Sequence, residues 1–400
     1  MRILTVSNWF PFPPNNGART RTFHLLREIG RRHVLDLAAI YQSESDLEHL
    51  DEVRAFCRRV AAFPSHDFQP ESMARWKTFL SGEPRSFAAR FSPDLQRTSI
   101  RWSGEEDYDA VVAISLGSAP YAADLDIPFK VLDQHNVESR VLKRQWENER
   151  GAGRKFRFAP TWIKAQRYER RLAEKFDLIS LVSDDEMALM KRLIGKSGGQ
   201  QFMVAPNGVD AGLLDYPRSV KDPDVVLFSG AVTYRPNYEA VRWLCNEIMP
   251  RVRMKLPSVR LRVTGGYGGV DVSAFGTNVE FTGYVDDIRP VVASASVLAT
   301  PITSGGGTRV KILEAMALGT PVVSTTFGAE GLHLRNGIDV LLGDTTEKIS
   351  ESIIKIIQDG GLSAEIARAA EATVGSRFRW TEIAENFEQA IVAYSKRRLR

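Results

Sequence analysis

Two consecutive series of short strand-like runs, each alternating with helical patterns, constrain the fold of this chain more than any other feature. A strand followed by a crossover helix pairs in parallel with an earlier strand, and buried parallel strands read as apolar runs. We therefore predict two doubly wound α/β domains. The first series comprises Ile3–Ser7, Val34–Ile40, Ala110–Ser115, Phe129–Asp133, Leu178–Val182 and Phe202–Ala205. The second comprises Val225–Ser229, Arg260–Thr264, Val279–Thr282, Val297–Thr300 and Pro321–Ser324.

The boundary between the domains is predicted from the segment that separates the two series. A length of 400 residues exceeds what one hydrophobic core usually organises. Proline and glycine interrupt the chain at Pro206–Asp210. We place an N-terminal domain at 1–209 and a C-terminal domain at 210–379. Apolar residues from Trp380 to Tyr394 recur at helical spacing, which predicts a final helix over 380–398 with one face packed on protein.

The composition is typical of a protein from a reducing compartment. Cys57 and Cys245 lie far apart without a partner pattern, so neither a disulfide framework nor a cysteine-based metal site is indicated. The first residues read as a strand rather than as a signal peptide, and no apolar run approaches the roughly 20 residues of a membrane-spanning helix. We expect a cytoplasmic protein, soluble or bound peripherally at the inner face of the membrane.

One segment is strongly basic. Between Arg140 and Lys175, lysine and arginine alternate with Trp146, Phe156, Phe158 and Trp162. Basic helices with aromatic residues favour anionic lipid headgroups, but a solvated helical face balanced by nearby glutamates explains the pattern as well. Both interpretations stay open. No sequence motif of a nucleic-acid-binding domain accompanies the positive charge, so we expect no nucleic-acid partner.

In doubly wound sheets, ligands bind beyond the carboxyl ends of the strands, so the residues just after strands are the candidates. In the N-terminal half, Gly17 follows the first strand and begins a helix, where backbone N–H groups are open to a ligand. His135 and Asn136 belong to a polar cluster after the strand that ends at Asp133. His135 can orient a substrate hydroxyl near neutral pH, although a structural turn and a structural histidine remain alternatives.

The C-terminal half carries the strongest motif. Gly305, Gly306 and Gly307 are expected to lead directly into a helix, whose free N–H groups form a seat for a pyrophosphate. Arg309 and Lys311 add positive charge in the first turn. Glu314, one turn further, is suited to ribose hydroxyls, although a simple ion pair with Lys311 is the alternative.

Two other loops in this half have weaker signals. Arg235 lies near a predicted helix start, where a phosphate would meet both a cation and free backbone donors. The alternative is that Arg235 is an exposed turn residue. The glycine-rich turn at 265–269 permits close approach of a ligand to the backbone.

The run Gly305–Ala317, with Gly319–Ser324 and Gly328–Leu332 after it, resembles the C-terminal signature of the family 4 glycosyltransferases. Asp133–Glu138, Pro206–Asp210, Gly283–Val285 and the tail containing Trp380 also match, so the resemblance covers nearly the whole chain. It implies the GT-B fold, in which two Rossmann-like domains face each other across a cleft and the last helix crosses back to the N-terminal domain. It also implies metal-independent, retaining transfer from a nucleoside-diphosphate sugar.

The resemblance assigns roles by position. Glu314 matches the family's ribose-binding glutamate, His135 the catalytic histidine near the donor sugar, Tyr284 and Val285 the backbone contacts to the base, and Gly17 the loop after the first strand. We assign Gly17 and Asn136 to the acceptor side. The donor set comprises Arg235, Tyr284, Val285, Gly305, Gly306, Gly307, Thr308, Arg309, Lys311 and Glu314.

Two positions depart from the family pattern. The family's paired glutamates lie eight positions apart, but Gly306 stands eight positions before Glu314. Arg235 has no lysine shortly after it, so we infer that Arg309 or Lys311 supplies the missing charge.

The sequence thus predicts a glycosyltransferase that acts on a glycan or lipid-linked acceptor. No pair of aspartates one residue apart follows a predicted strand, so we expect neither a metal nor another cofactor. Two alternatives stay open. A non-catalytic nucleotide-sugar-binding protein is suggested by Gly306, whereas a nicotinamide-dependent oxidoreductase lacks the G-x-G-x-x-G motif after the first strand.

Overall fold

The computed structural model describes residues 1–65, 84, 87, 90–149, 151–195, 199–276 and 278–398. Its contacts divide the chain into two compact units: the first unit comprises Met1–Asn207 and Thr381–Arg400, and the second unit comprises Gly208–Trp380. Each unit contains one parallel sheet with helices in its crossovers. This confirms the prediction of two parallel-sheet α/β domains. Arg150, in the basic segment, lies outside the described residues.

The first unit is built on a seven-stranded parallel sheet in the order β3-β2-β1-β4-β5-β6-β7. Its strands are β1 (Arg2–Ser7), β2 (Val34–Tyr41), β3 (Arg59–Pro64), β4 (Ala110–Ile114), β5 (Lys130–Gln134), β6 (Leu178–Leu181) and β7 (Gln201–Val204). Its helices before residue 208 are α1 (Gly17–Arg32), α2 (Leu50–Arg54), α3 (Pro93–Glu105), α4 (Ala119–Ala123), α5 (Glu138–Asn148), α6 (Ala152–Ala173) and α7 (Asp184–Ile194), with a 3-10 turn at Glu44–His49.

The second unit is built on a six-stranded parallel sheet in the order β10-β9-β8-β11-β12-β13. Its strands are β8 (Asp222–Ser229), β9 (Arg260–Thr264), β10 (Val279–Gly283), β11 (Ala295–Thr300), β12 (Val322–Ser324) and β13 (Leu341–Leu342). Its helices are α8 (Ala211–Leu214), α9 (Arg235–Trp243), α10 (Met249–Lys255), α11 (Arg289–Ser294), α12 (Val310–Ala317), α13 (Thr346–Gln358) and α14 (Gly360–Arg377). A π-helical turn at Leu244–Ile248 joins α9 to α10, and a 3-10 turn covers Val272–Phe275.

The central strands form because both of their faces are buried. Every residue of β4 and β11 is buried, and such strands have apolar side chains in both directions rather than an alternating pattern. This is why each predicted strand is present within a few residues of its expected bounds. β3 and β13 were not predicted, because β3 is a half-exposed edge strand and β13 has only two residues.

The last helix, α15 (Trp380–Arg398), packs on the first unit. The Glu388 carboxylate accepts from Arg32 at 2.9 Å and lies 2.7 Å from His33 Nε2, while Phe387 and Ile391 of the same helix are buried. The first unit is therefore made of two chain segments. Among the described helices, none combines the length and apolar character of a membrane-spanning segment.

Candidate functional site

The second sheet has a point where its strand order reverses. β8 and β11 are neighbours although β9 and β10 lie between them in sequence, and both strands run in the same direction. The loops at 230–234 and 301–309, which follow these two strands, therefore leave the same edge of the sheet side by side. This is the position at which open α/β sheets bind nucleotides.

Lys311 lies at this reversal point and joins the two loops. Its Nζ donates to Asn237 Oδ1 at 3.0 Å and lies 4.4 Å from the centre of the Phe228 ring. Asn237 in turn donates to the Ala231 carbonyl at 2.8 Å. Gly230 has a φ of 133°, which other residues rarely adopt, and a Cβ atom there would lie 2.5 Å from Lys311 Nζ, so glycine suits this position on both counts.

The charge of Lys311 is poorly compensated. Burial, with a further contribution from Arg309, lowers the pKa of Lys311 to about 7, although Glu314 opposes the shift. Burial raises the pKa of Glu314, and Lys311 limits that rise. Among the described residues, no carboxylate forms an ion pair with Lys311 within 4.0 Å. An anion placed beside this lysine would stabilise its charged form.

The glycine loop and Arg309 are arranged differently from our expectation. We expected the three glycines to lead directly into a helix, and this is wrong: α12 begins at Val310, after Thr308 and Arg309. Arg309 folds back on its own loop, donating to the carbonyls of Gly306, at 3.0 Å, and Gly307. Arg309 is thus bound to its own glycine loop. Lys311 remains the cation that lies between the loops at 230–234 and 301–309.

Arg235 begins α9 but is bound to a neighbour on the same helix. Its Nε donates to Glu239 at 2.8 Å, and its side chain is 84% exposed. Glu239 also accepts from the Ser304 hydroxyl at 3.1 Å, so the pair links α9 to the glycine loop. A Cβ atom on Gly305, at φ 101°, would lie 2.9 Å from the Tyr234 hydroxyl, which explains the glycine.

The glycine at the end of β9 has a structural cause. Gly265 has a φ of 128°, and a Cβ atom there would lie within 2.8 Å of the backbone of Gly230 and Ala231. The neighbouring loop after β8 therefore requires Gly265. A Cβ atom on Gly266, Gly268 or Gly269 would have no neighbour within 4 Å, and close approach of a ligand to this turn stays a prediction. Tyr284 and Val285 follow β10 at the same edge, with Tyr284 63% exposed and Val285 half-buried.

In the first unit, the polar cluster after β5 is organised by a buried ion pair. Asp133 accepts from Arg21 Nε at 2.8 Å and from Arg21 Nη2 at 2.6 Å, and both side chains are almost fully buried. Burial alone would raise the pKa of Asp133, but the charge and hydrogen bonds of Arg21, with smaller contributions from His135 and Ser180, together lower that pKa. Arg21 also donates to the Pro206 carbonyl at 3.2 Å. Sequence reasoning missed Arg21, whose partner lies 112 positions away.

His135 lies next to this ion pair with one ring nitrogen available. Its Nε2 is 3.9 Å from Asp133 Oδ2, is buried, and has no hydrogen-bond partner among the described residues. Burial and the Arg21 charge lower the pKa of His135 to about 4, although Asp133 opposes the shift. The ring is therefore neutral near pH 7, and it can exchange a hydrogen bond with a hydroxyl group.

The backbone around His135 is held from α6 by a residue that the sequence did not single out. Glu169 is fully buried and accepts from the backbone N–H groups of Glu138 and Ser139 at 2.8 and 2.9 Å, and from the Gln134 amide. Burial raises the pKa of Glu169 to about 7. The only signal in the sequence was an acid within a basic segment, and one of the two interpretations left open placed that acid on a solvated face.

Gly17 and Asn136 are placed near the same strand ends. α1 begins at Gly17, and the Asn16 side chain caps the helix by accepting from Arg19 N at 3.1 Å. Asn136 is half-buried and hydrogen-bonds the Glu138 carboxylate. In the part of the chain that the structure describes, no three His, Cys, Asp or Glu side chains are grouped as metal ligands.

Comparison with known proteins decides the family. Residues 223–359 match the family described as glycosyl transferases group 1. Over 376 residues, the chain is 30% identical to a phosphatidyl-myo-inositol mannosyltransferase of Mycobacterium tuberculosis, an alignment that covers 88% of this chain and 89% of the relative. The chain belongs to the family 4-like glycosyltransferases. This glycosyltransferase is also 20% identical over 383 residues to an uncharacterized 44.6 kDa protein in the cps region of Klebsiella pneumoniae, covering 92% of this chain and 93% of that one.

Solved structures agree on the fold of the glycosyltransferase. Alr3699/HepE of Anabaena in complex with UDP superposes with a TM-score of 0.69 at 17% identity, covering 98% of this chain and 100% of that one. Sucrose-phosphate synthase of Thermosynechococcus elongatus superposes with a TM-score of 0.70 at 17% identity, covering 98% of each chain. The glycosyltransferase therefore has the GT-B fold, and it is an enzyme of group 1 type.

Proposed function

We propose that this glycosyltransferase takes a sugar from a nucleoside-diphosphate sugar and binds the nucleotide at the strand-order reversal of its second unit. The observation that carries the proposal is Lys311, a half-buried cation held between two post-strand loops by Asn237. A diphosphate placed there meets both the lysine and backbone N–H groups at the start of α12. Support also comes from the solved Anabaena protein, which was crystallised with UDP.

The neighbouring residues contact the other parts of the donor. Gly305, Gly306, Gly307 and Thr308 form the loop over the diphosphate. Glu314, one helical turn beyond Lys311, accepts from ribose hydroxyls, while the backbone of Tyr284 and Val285 contacts the base. Arg235 and Arg309 act through the loop, because Glu239 and the loop carbonyls already hold their guanidinium groups.

Lys311 also supports transfer without a metal ion. The leaving diphosphate gains negative charge in the transition state, and a lysine that is already desolvated stabilises such charge strongly. We infer that Lys311 and the N-terminus of α12 together take the role that a divalent cation has in other transferases. Retention of the anomeric configuration remains part of this proposal by family membership.

The acceptor belongs to the first unit in this proposal. His135 Nε2 is a neutral, buried acceptor or donor whose backbone is fixed by Glu169 and whose ring is set against the Asp133–Arg21 pair. It would orient a hydroxyl of the reacting sugar, with Asn136 and the start of α1 at Gly17 beside it. A glycan or lipid-linked acceptor is suggested by relatives named phosphatidyl-myo-inositol mannosyltransferase and lipopolysaccharide core biosynthesis glycosyltransferase.

We further propose that α6 rests on an anionic membrane surface from the cytoplasmic side. The exposed face of this helix carries Phe156, which is 85% exposed, and Ile163, which is 37% exposed, followed by Arg167 and Arg170 at helical spacing. Apolar side chains beside arginines are the pattern of helices that lie in the interface of acidic bilayers. Glu169, one of the glutamates of the alternative interpretation, is buried rather than solvated.

Calorimetric titration tests the donor site. UDP and GDP, and their glucose and mannose derivatives, are titrated into the wild type, into Lys311→Met and into the control Lys355→Met, which removes an exposed lysine of α13. We expect Lys311→Met alone to lose at least tenfold in affinity for the nucleotide that binds. Equal affinity in all three proteins would reject Lys311 as the diphosphate ligand.

Vesicle sedimentation tests the membrane surface. The wild type should sediment with phosphatidylglycerol vesicles more than with phosphatidylcholine vesicles, and the double variant Phe156→Ser/Ile163→Ser should stay in solution. Ile338→Ser, which removes a 46% exposed apolar side chain from the second unit, is the matched control. Sedimentation of the double variant at the wild-type level would contradict the proposal.

A further inference from the structure

The second unit contains a cavity at the edge of its sheet opposite to the proposed donor site. The cavity has a volume of about 500 Å³. Its walls include Pro223 near the start of β8, Ser296 near the start of β11 and Pro321 just before β12. All three positions lie at the amino ends of parallel strands. β8 has eight residues, so the two edges are separated by about 23 Å at ~3.3 Å per residue.

One end of this cavity is cationic. Lys221 Nζ donates to the Thr320 hydroxyl at 2.6 Å, and that hydroxyl donates onward to the Val292 carbonyl at 2.7 Å. Among the described residues, no carboxylate pairs with Lys221 within 4.0 Å. An ammonium group has three N–H donors, so two of them remain for a ligand. Burial, with the nearby Arg218, lowers the pKa of Lys221 to about 8.

Two arginines add to this charge. Arg218 lines the cavity and lies over Gly319, where a Cβ atom would collide with its guanidinium group. Arg218 is paired with Glu371. Arg368 also lines the cavity and, among the described residues, has no carboxylate partner. Three cations therefore line the cavity, and one of them, Arg218, is paired with a carboxylate.

Most of the remaining walls of the cavity are apolar. The apolar side chains are Pro223, Pro321, Ile356, Ile357, Ala364 and Ala367, and they lie beside Gly319, Gly360, Ser296 and Ser363. Ligand pockets of a few hundred Å³ often combine an apolar lining with a few polar groups, and they bind molecules that are themselves partly apolar and partly polar. The lining thus favours a ligand that combines a charged head with an apolar body.

We propose that this cavity is a binding site for a small amphipathic oxyanion, whose phosphate or carboxylate head lies between Lys221 and Arg218 and whose apolar body packs against the isoleucines at the end of α13. The site is independent of the donor site, because it uses the opposite edge of the sheet. Charge complementarity and the apolar lining together select this class over a neutral sugar or a free inorganic ion.

Titration calorimetry with hexyl phosphate and hexanoate tests the proposal on the full chain. The Lys311→Met background is used throughout, so that the donor site does not contribute. We expect saturable binding of at least one of the two probes, while 1-hexanol and inorganic phosphate bind at least tenfold more weakly. Comparison of the two probes identifies the preferred head group.

Two variants locate the site. Lys221→Met should weaken binding of the probe at least tenfold, whereas Lys355→Met should leave it unchanged. Ala364→Trp keeps every cation but fills the cavity and should abolish binding, which covers the case in which Lys221→Met fails to fold. Binding that survives in both cavity variants, equal binding of 1-hexanol, or no binding of either probe would overturn the proposal.

Discussion

The protonation of Lys311 gives a pH dependence of donor binding that can be calculated. The pKa of Lys311 is about 7 in the unliganded protein, because the side chain is desolvated. A bound diphosphate favours the ammonium form and moves that pKa up towards the ordinary value of roughly 10.4. Binding therefore takes up a proton above pH 7. Affinity is fully present below pH 7 and falls as the pH rises through that value.

The magnitude follows from the protonated fraction of the free protein. With a pKa of about 7, that fraction is about 0.9 at pH 6 and about 0.1 at pH 8, so the dissociation constant should rise about tenfold across this range. The corresponding free-energy change is about 1.4 kcal/mol. The donor adds no titration of its own, since both phosphates of a nucleoside-diphosphate sugar are esterified.

Calorimetry in buffers of different ionisation enthalpy measures both the affinity and the proton uptake. At pH 7.5 we expect uptake of roughly three-quarters of a proton per bound donor. Lys311→Arg keeps its charge throughout, so its affinity should be flat between pH 6 and 8. The affinity of Lys311→Met for the donor should be weak and should not change between pH 6 and 8. A wild-type profile parallel to that of Lys311→Arg would refute the reasoning, because it would assign any pH effect to other groups such as Glu169.

Four further predictions test the rest of the proposal. Glu314→Gln should keep the fold and weaken nucleotide binding by about 1 to 3 kcal/mol, the range for a hydrogen bond to a charged group, and unchanged calorimetric affinity would remove Glu314 from the ribose site. His135→Ala should lower kcat far more than nucleotide affinity, and an equal loss of both would place the ring in the donor pocket. Truncation before Trp380 should lower the melting temperature of the first unit and abolish turnover, while the second unit still binds nucleotide. Calorimetry with limited proteolysis measures the stability of each unit, and full activity of the truncated protein would contradict the prediction. Activity should persist in EDTA, whereas loss that is restored by Mg²⁺ or Mn²⁺ would reject the metal-free proposal.

The sequence predicted what depends on burial and on local turns. The apolar runs of β4 and β11 identified the central strands, because strands buried on both faces leave a continuous signal. The glycine run at 305–307 follows β11, as its predicted position after a strand indicated, and lies at the strand-order reversal of the second sheet. Glu314 and Lys311 were predicted on one helix face, and the structure places both on α12.

The sequence could not predict pairings between distant residues. Arg21 meets Asp133 and Glu169 meets the backbone of Ser139 only because the sheet brings their elements together. The same limit applies to Arg309, whose return to its own loop depends on backbone angles at Gly307 that spacing does not reveal. A charged residue near a glycine motif indicates a phosphate site, but the direction of its side chain is decided by tertiary structure.

The position of α15 has a consequence for the order of biosynthesis. A ribosome releases residues 1–207 first and the 173 residues of the second unit next, and only then the helix that supplies Glu388 to Arg32 and His33. During most of translation, the first unit therefore exposes the apolar surface that Phe387 and Ile391 later cover. The second unit is contiguous and can fold while the chain is still attached. The domain that is made first is thus the one that is completed last.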